Sequence, residues 1–406
     1  MKQDFVTGPE FVTGNVVRGN DLWDRDEEFE EIIRVLKKDS VLVKAPRRYG
    51  KTSLMNKVHE HFKAEQTSFL IDVEGLESPE GFISKVLAAV LEEMPSDKRS
   101  TFAQLTGRLG ELLAGIDEFE VANFRVRLKE AIKDDWQEQG KALFELLIEL
   151  ETPVLIIIDE FPVLLDNMSN QPETARIFLQ WFRNIRLNSN LQNVRWVLAG
   201  SLAIEVAIKR VDAEYKIIND LSIVAIGPFS DSVAIDFIKA LIATDGSLEQ
   251  IGDDCARFVL EKIGSGVPYF IQVLLKESRN LALKEGAKAI TKEIVQRAYD
   301  DSVLGPTHRT YFAYYYARLS RDLDAKQVTV AKEIVLAIAR EERMPKEEVQ
   351  KLLNAYSKGE LKNEDFNTIM TYIEDEFYVE YVSSERIYRF STNLLRDWWL
   401  RYYDFI

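Results

Sequence analysis

At 406 residues the chain is too long for one ordinary hydrophobic core, and two or three domains are expected. The net charge of −15 at pH 7 argues against an affinity for nucleic acid along the whole chain, although a local basic patch would be compatible with it. The single cysteine, Cys255, excludes an internal disulfide, and the longest strongly apolar run, Val154 to Ile158, is far shorter than the roughly 20 residues that span a bilayer.

The N-terminal segment carries no signal-peptide pattern, because no apolar stretch follows Met1–Asp4. We therefore expect a cytoplasmic protein without membrane contact. The stretch Asp21–Asp26 then leads into a predicted helix whose apolar residues share one face. A lead-in of this kind either caps the helix or, as in several ATPases, holds an adenine base.

The segment from Val41 to Met55 has the pattern of a phosphate-binding loop. An apolar strand ends at a tight loop, and apolar residues recur at helical spacing after Gly50. The order of strand, loop and helix directs successive backbone N–H groups and a helix N-terminus at one small volume, which favours a polyphosphate. Lys51 would reach the β- and γ-phosphates of ATP and act in catalysis, and the Thr52 hydroxyl would bind Mg²⁺. The predicted nucleotide-binding residues of this loop are Ala45, Pro46, Arg47, Arg48, Tyr49, Gly50, Lys51, Thr52 and Ser53.

Ala45 stands where the motif G-x-x-x-x-G-K-[ST] has its first glycine. Alanine is compatible with that position if the residue keeps a negative φ. The alternative interpretation is a surface turn that happens to contain Gly-Lys-Thr. The strand-to-helix change falls where the motif requires it, which favours the phosphate-binding loop.

The next predicted strands place two carboxylates at one edge of a sheet. Ser68–Val73 predicts a second strand, the region 79–150 is helical, and Val154–Ile158 predicts a central parallel strand that is covered on both faces. Asp159 and Glu160 follow that strand, at the end where open α/β sheets bind their ligands. This is the Walker B pattern, in which Asp159 would hold Mg²⁺ and Glu160 would polarise the attacking water.

Two further strands, Arg195–Ser201 and Leu221–Ile226, complete a predicted parallel three-layer α/β domain. Its bounds are residues 1–229, with a helical insertion at about 79–150. Ser201 would act in catalysis as a sensor that hydrogen-bonds the γ-phosphate or the water. Its alternative role is to cap the helix that begins at Leu202, and both roles can coexist.

The remaining chain predicts two smaller domains. Residues 230–324 are helical throughout and form a lid domain. Residues 325–406 predict three helices followed by a hairpin around Ser383–Arg386, which is the pattern of a winged helix. The third helix, Asn363–Glu376, contains five acids and no base, so in a DNA groove it would face phosphates unfavourably. A module that contacts protein or regulates the chain itself is therefore favoured, and DNA binding stays open.

Several motifs together resemble the archaeal-type ATPase family, in the STAND branch of AAA+-like P-loop NTPases, and the likeness covers roughly Val12 to Phe405. That resemblance implies ATP or ADP bound with Mg²⁺ between the α/β domain and the lid, with Pro268 near the nucleotide. The family often has alanine at the position of Ala45, and it usually has Gly-Arg-Glu where this chain has Asp24-Arg25-Asp26. The motifs that carry the resemblance are Ala45-Pro46-Arg47-Arg48-x-Gly50-Lys51-Thr52-Ser53-Leu54, Ile157-Ile158-Asp159-Glu160-Phe161, Leu198-Ala199-Gly200-Ser201, Gly227-Pro228-Phe229 and Gly266-Val267-Pro268-Tyr269.

Two functions compete at this point. The first is a slowly hydrolysing, Mg²⁺-dependent ATPase that works as a molecular switch on a protein partner or through self-association. The second is a DNA-handling ATPase, similar to origin-binding or transposition-regulating relatives, with the winged helix on DNA. An arginine finger, if one exists, has only Lys209 and Arg210 as candidates after the sensor strand.

Overall fold

The computed structural model describes residues 8–93, 135–147, 153–188, 191, 193–200, 204–357, 359 and 361–404. These residues form two compact units. The sheet unit comprises Arg25–Arg47 and Lys51–Ile226, and the C-terminal unit comprises the described residues up to Asp24, Arg48–Gly50 and the residues from Gly227 onward. Across the described ranges, no helix combines the length and the apolar composition that crossing a membrane requires.

A five-stranded parallel sheet organises the sheet unit. The strands stand in the order β2-β3-β4-β1-β5. This confirms the predicted α/β fold class with its parallel sheet. The strand bounds are β1 Ser40–Lys44, β2 Thr67–Asp72, β3 Val154–Asp159, β4 Val194–Gly200 and β5 Leu221–Ala225.

Strand β3 lies at the inside of the sheet because its sequence tolerates no exposed face. All six of its residues, Val154–Asp159, are buried. It pairs with β2 on one side and with β4 on the other. A continuous apolar strand of this kind requires cover on both faces, which the helices of the unit supply.

The helices of the sheet unit pack their apolar faces on the sheet. On the helix Pro172–Arg186, Phe178 and Phe182 stack with parallel rings 5.9 Å apart, and Trp196 of β4 contacts Phe182 edge to face at 5.0 Å. These contacts hold this helix against the sheet. The helix bounds are α1 Asp26–Leu36, α2 Lys51–Lys63, α3 Pro79–Glu93, α4 Trp136–Leu146, α5 Phe161–Asn167, α6 Pro172–Arg186 and α7 Ile204–Arg210. Helices α3 and α4 fall in the predicted insertion at about 79–150. Residues 94–134 and 148–150 of this insertion lie outside the described residues.

Helices dominate the first part of the C-terminal unit. The Ser230 hydroxyl accepts a hydrogen bond from Val233 N–H at one helix start, and the Thr291 hydroxyl accepts one from Ile294 N–H at another. Gly246 and Gly264 end two of the helices with φ of 64° and 82°, a conformation that glycine adopts without steric cost. The helix bounds are α8 Asp231–Asp245, α9 Asp253–Ile263, α10 Pro268–Lys284, α11 Lys292–Arg297 and α12 Arg309–Asp322.

The end of the chain combines helices with a small antiparallel sheet. Its elements are α13 Ala325–Glu341, β6 Met344–Pro345, α14 Lys346–Tyr356, α15 Asn363–Asp375, β7 Val379–Val382, β8 Ile387–Phe390 and α16 Asn393–Tyr403. The sheet order is β6-β8-β7. The three helices and the hairpin stand where the sequence predicts them. Helix α12 falls in the region 230–324 that the sequence predicts as helical. The short strand β6 carries no such prediction, since two residues give no alternation.

Candidate nucleotide site

Two residues of the loop between β1 and α2 adopt the left-handed backbone conformation that glycine favours. Gly50 has φ 87° and Arg48 has φ 74°, whereas the φ of Ala45 is not positive. Ala45 therefore meets the condition under which alanine can replace the first glycine of the motif. Helix α2 begins directly after the loop and has no acidic residue in its first turn. A helix N-terminus without acidic side chains favours an anion.

Lys51 and Thr52 meet the two carboxylates at the end of β3. The Lys51 ammonium is 5% exposed and forms an ion pair with Asp159, and it lies 3.4 Å from Glu160 Oε1. The Thr52 hydroxyl donates a hydrogen bond of 2.9 Å to Asp159 Oδ2. The fold thus brings together two pairs of adjacent predicted site residues, and the pairs stand more than 100 positions apart in the chain.

Glu160 occupies a strained position at the strand-to-helix junction. Its backbone lies in the left-handed region, with φ 58° and ψ 32°, and it is the N-cap of α5. The Glu160 N–H donates to Asp159 Oδ1 at 2.9 Å, so the neighbouring carboxylate satisfies the first backbone donor of the turn. Such a conformation costs a non-glycine residue about 1 kcal/mol and persists only where the surroundings impose it.

The oxygen atoms of Thr52 and Asp159 are suitable ligands for Mg²⁺. Mg²⁺ prefers oxygen donors, and in nucleotide sites it takes one or two protein ligands together with phosphate oxygens and water. One hydroxyl and one carboxylate in mutual contact match that requirement. Among the described residues, no group of three or more His, Cys, Asp and Glu side chains gathers to hold a metal by itself.

Other predicted site residues lie in the C-terminal unit or outside the described residues. Within the C-terminal unit, the Arg48 guanidinium lies 4.3 Å from the ring centroid of Tyr269, and the rings of Tyr49 and Phe377 are 4.9 Å apart. Pro268 is the first residue of α10, where its fixed φ suits a helix start. Its role beside a nucleotide stays a prediction. Ser201 lies outside the described residues.

Arg47 and Ser53 lie on either side, along the chain, of the residues Lys51 and Thr52 that contact the carboxylates at the end of β3. Ser53 is buried in the first turn of α2, and Pro46 and Arg47 are half-buried between β1 and the loop. Arg47 and Ser53 each have a backbone N–H that could bind an anion, whereas Pro46 has none. Their contact with a nucleotide stays a prediction.

The sequence pattern did not predict the ion pairs that side chains of α7, the helix after β4, form with other elements. The Arg210 guanidinium forms an ion pair with Asp166 of α5, and Lys44 at the end of β1 pairs with Glu205 of α7. Arg210, a candidate arginine finger, therefore already binds a carboxylate of its own chain. No motif connects Asp166 with Arg210, because the two residues stand 44 positions apart on different helices.

Comparison with known proteins supports the fold. The Walker-type ATPase of Pyrococcus abyssi has a TM-score of 0.63 at 16% sequence identity, covering 96% of this chain and 98% of that one. The ORC2 protein of Aeropyrum pernix, solved in complexes with ADPNP and ADP, has a TM-score of 0.55 at 12% identity, covering 98% and 96%. No protein-family model matches the chain, and no curated protein does. At these identities the likeness shows the fold alone, an α/β P-loop NTPase fold that covers nearly the whole chain.

Proposed function

We propose that this protein is a Mg²⁺-dependent ATPase that binds ATP or ADP at the loop before α2 and hydrolyses ATP slowly. One observation carries the proposal: Lys51, Thr52, Asp159 and Glu160 converge at the ends of β1 and β3. Each of these side chains has the chemistry that its predicted role requires. The fold shared with the Walker-type ATPase of Pyrococcus abyssi supports the same assignment.

The mechanism follows from what these four side chains can do. Bound ATP and Mg²⁺ supply the phosphoryl group and the charge that polarises it. Thr52 and Asp159 would hold the metal, and the Lys51 ammonium would bind phosphate oxygens, the position for which the carboxylates already orient it. Glu160, which is 16% exposed, would orient a water molecule and accept its proton. Water is the proposed acceptor, since the sequence carries no motif for binding another one.

We further propose that hydrolysis serves a switch of the STAND type, in which the C-terminal helices and hairpin act on a protein partner or on a second copy of the chain. The charge of the hairpin region supports this assignment. Arg386 bonds Glu347 at 2.7 Å, and Arg389 bonds Glu380 at 2.5 Å. The two arginines of the hairpin therefore have acidic neighbours, and the helix before the hairpin is acidic. A cytoplasmic location is proposed with this function.

The second candidate is a DNA-handling ATPase. It is supported by the predicted winged helix and by the fold shared with the ORC2 protein of Aeropyrum pernix. The net charge of −15 and the acid-paired arginines weigh against it, because nonspecific DNA binding needs unneutralised basic side chains.

Substitution of Lys51 and Glu160 tests the proposed activity. Lys51→Ala is expected to abolish ATP binding, because it removes the buried ammonium that faces the phosphate position. Glu160→Gln is expected to keep binding and to lower turnover by about 100-fold or more, because it removes the proposed base. Equilibrium binding of a fluorescent ATP analogue and phosphate release measure the two steps separately.

Lys57→Ala is the matched control for Lys51→Ala. Lys57 lies on the same helix and also forms an ion pair, with Asp26 at 2.5 Å, but it faces away from the four site residues. The control should bind and hydrolyse ATP as wild type does. Equal turnover in wild type and Glu160→Gln would refute the assigned base, and absence of Mg²⁺–ATP binding to wild type would refute the proposed function.

A further inference from the structure

Gly200, the last residue of strand β4, lies so close to helix α5 that a side chain at this position would not fit. A Cβ atom built on Gly200 would lie 2.2 Å from Pro162 Cδ and 2.6 Å from Pro162 Cγ. Real Cβ atoms are not found at such distances, and the obstructing atoms belong to a rigid ring that is bonded to the backbone. Gly200 therefore permits a contact between the backbone of β4 and the first turn of α5.

Pro162 is tied directly to the proposed base. It stands two residues after Glu160, in the first turn of α5, and Glu160 is the N-cap of the same helix. Every residue from Phe161 to Asp166 is buried. A displacement of this first turn would consequently move the left-handed backbone of Glu160 and the direction in which its carboxylate leaves the chain.

The other end of α5 is held by an ion pair. Asp166 is 5% exposed and pairs with Arg210 of α7, which is 18% exposed. A buried carboxylate that loses its cation is left in a low-dielectric environment, so the pair strongly favours one position of the two helices. Helix α5 is thus fixed at its start by Gly200 and at its end by Arg210.

We propose that Gly200, Asp166 and Arg210 are positioning residues for Glu160. This inference rests on the proposed ATPase function. The absence of a side chain at Gly200 and the Asp166–Arg210 ion pair hold α5 so that the Glu160 carboxylate faces the Lys51 ammonium, 3.4 Å away. None of the three residues contacts that ammonium in the structure, so their effect on hydrolysis passes through α5. Arg210 thereby acts within its own chain.

Gly200→Ala is the direct test. The methyl group must displace Pro162, and we expect kcat to fall about 10- to 100-fold, because a misplacement of about 1 Å has effects of that size on catalysis. The dissociation constant for Mg²⁺–ATP should stay within about twofold of wild type, since Lys51 and Thr52 lie on other elements. A crystal structure of the nucleotide-free variant should show Pro162 displaced and the Glu160 φ changed.

Two further variants separate positioning from general loss of structure. Gly81→Ala is the matched control, because its Cβ would make only ordinary contacts, 3.4 Å from Ser78 Oγ and 3.6 Å from Leu76 Cδ2. It should hydrolyse ATP as wild type does. The double variant Gly200→Ala/Pro162→Ala removes the two ring atoms that the methyl group meets, and it should recover most of the lost kcat.

Arg210→Met provides an independent test if Gly200→Ala does not fold. It should lower kcat with unchanged Mg²⁺–ATP affinity, whereas Arg176→Met, which breaks an exposed pair with Asp212, should leave both unchanged. Wild-type kcat in Gly200→Ala or in Arg210→Met overturns the inference. Loss of nucleotide affinity together with kcat also overturns it, as does failure of both variants to fold. In each of these cases turnover by wild type and its loss in Glu160→Gln leave the proposed function standing.

Discussion

At the scale of single residues, the site shows how a backbone conformation serves a side chain. Glu160 stands in the left-handed region, where asparagine and glycine are better tolerated than glutamate. Glutamate at this position therefore lowers the stability of the folded protein. We interpret that cost as part of the function, because the same conformation turns the chain from β3 into α5 and places the carboxylate beside Lys51.

The strain predicts a difference between two neutral substitutions. Glu160→Asn should be more stable than Glu160→Gln by about 0.5–1 kcal/mol, because asparagine enters the left-handed region more readily. Both variants lose the charge, so the difference reports on the backbone. Urea unfolding measures it.

Glu138 supplies the control for this comparison. It is exposed on helix α4, where the order should reverse and glutamine should be the more stable residue by a few tenths of a kcal/mol. An equal stability of the two Glu160 variants would show that the left-handed conformation costs glutamate nothing measurable.

At the scale of elements, ion pairs connect helices to the loops that lead into strands. Arg186 of α6 is 1% exposed and donates to both carboxylate oxygens of Asp220, at 2.9 and 3.0 Å, and to the Ile217 carbonyl at 2.6 Å. Asp220 directly precedes β5, the edge strand beside β1. The pair therefore fixes the entry of β5 into the sheet.

Breaking this pair should be costly. Arg186→Met keeps the apolar stem of the side chain but leaves Asp220, which is 8% exposed, with only the more distant Arg183 guanidinium at 3.9 Å. We expect a loss of about 3 kcal/mol in the free energy of unfolding, the low end of the range for a broken buried pair. Arg176→Met is the matched control on the same helix, because its pair with Asp212 is exposed and should contribute about 0.5 kcal/mol or less. Chemical denaturation measures both. Equal losses would show that burial does not set the strength of this pair.

The elements also show how far the sequence determines the outcome. Five strands fall within one or two residues of their predicted bounds, because short apolar runs between helical patterns are a local signal. The order β2-β3-β4-β1-β5 has no local signal, since it depends on which strands meet along the sheet. The meeting of Lys51 with Asp159 could be inferred from paired motifs. The contact of Gly200 with Pro162 and the Asp166–Arg210 pair could not, because they depend on three-dimensional packing alone.

At the scale of the whole molecule, charge separates the two candidate functions. The chain carries 67 acidic and 52 basic residues. In the C-terminal unit, Arg343 forms an ion pair with Glu385 of the hairpin turn. The hairpin arginines Arg386 and Arg389 also form ion pairs with acidic side chains. DNA binding requires basic side chains that can exchange counterions on phosphates, and the balanced hairpin offers few.

We therefore expect the purified protein to bind no DNA at low salt. Fluorescence anisotropy of a labelled duplex, at about 50 mM salt and with Mg²⁺–ATP present, measures this directly. Binding that weakens steeply between about 50 and 200 mM salt would favour the DNA-handling ATPase instead. Co-purification of the native protein from its own cells would then identify either nucleic acid or a protein partner.

The ion pair of Lys51 bears on how tightly a nucleotide can be held. The ammonium that would grip a phosphate is already engaged by Asp159, and both groups are nearly excluded from water. A phosphate group would therefore have to displace the Asp159 carboxylate from the ammonium, and the net affinity would be the difference between two strong attractions. In the proposed site, Mg²⁺ would relieve this competition, because Asp159 would have a new cation when Lys51 binds phosphate. The affinity for a nucleotide would then depend on the metal, and ADP without Mg²⁺ would be held more weakly.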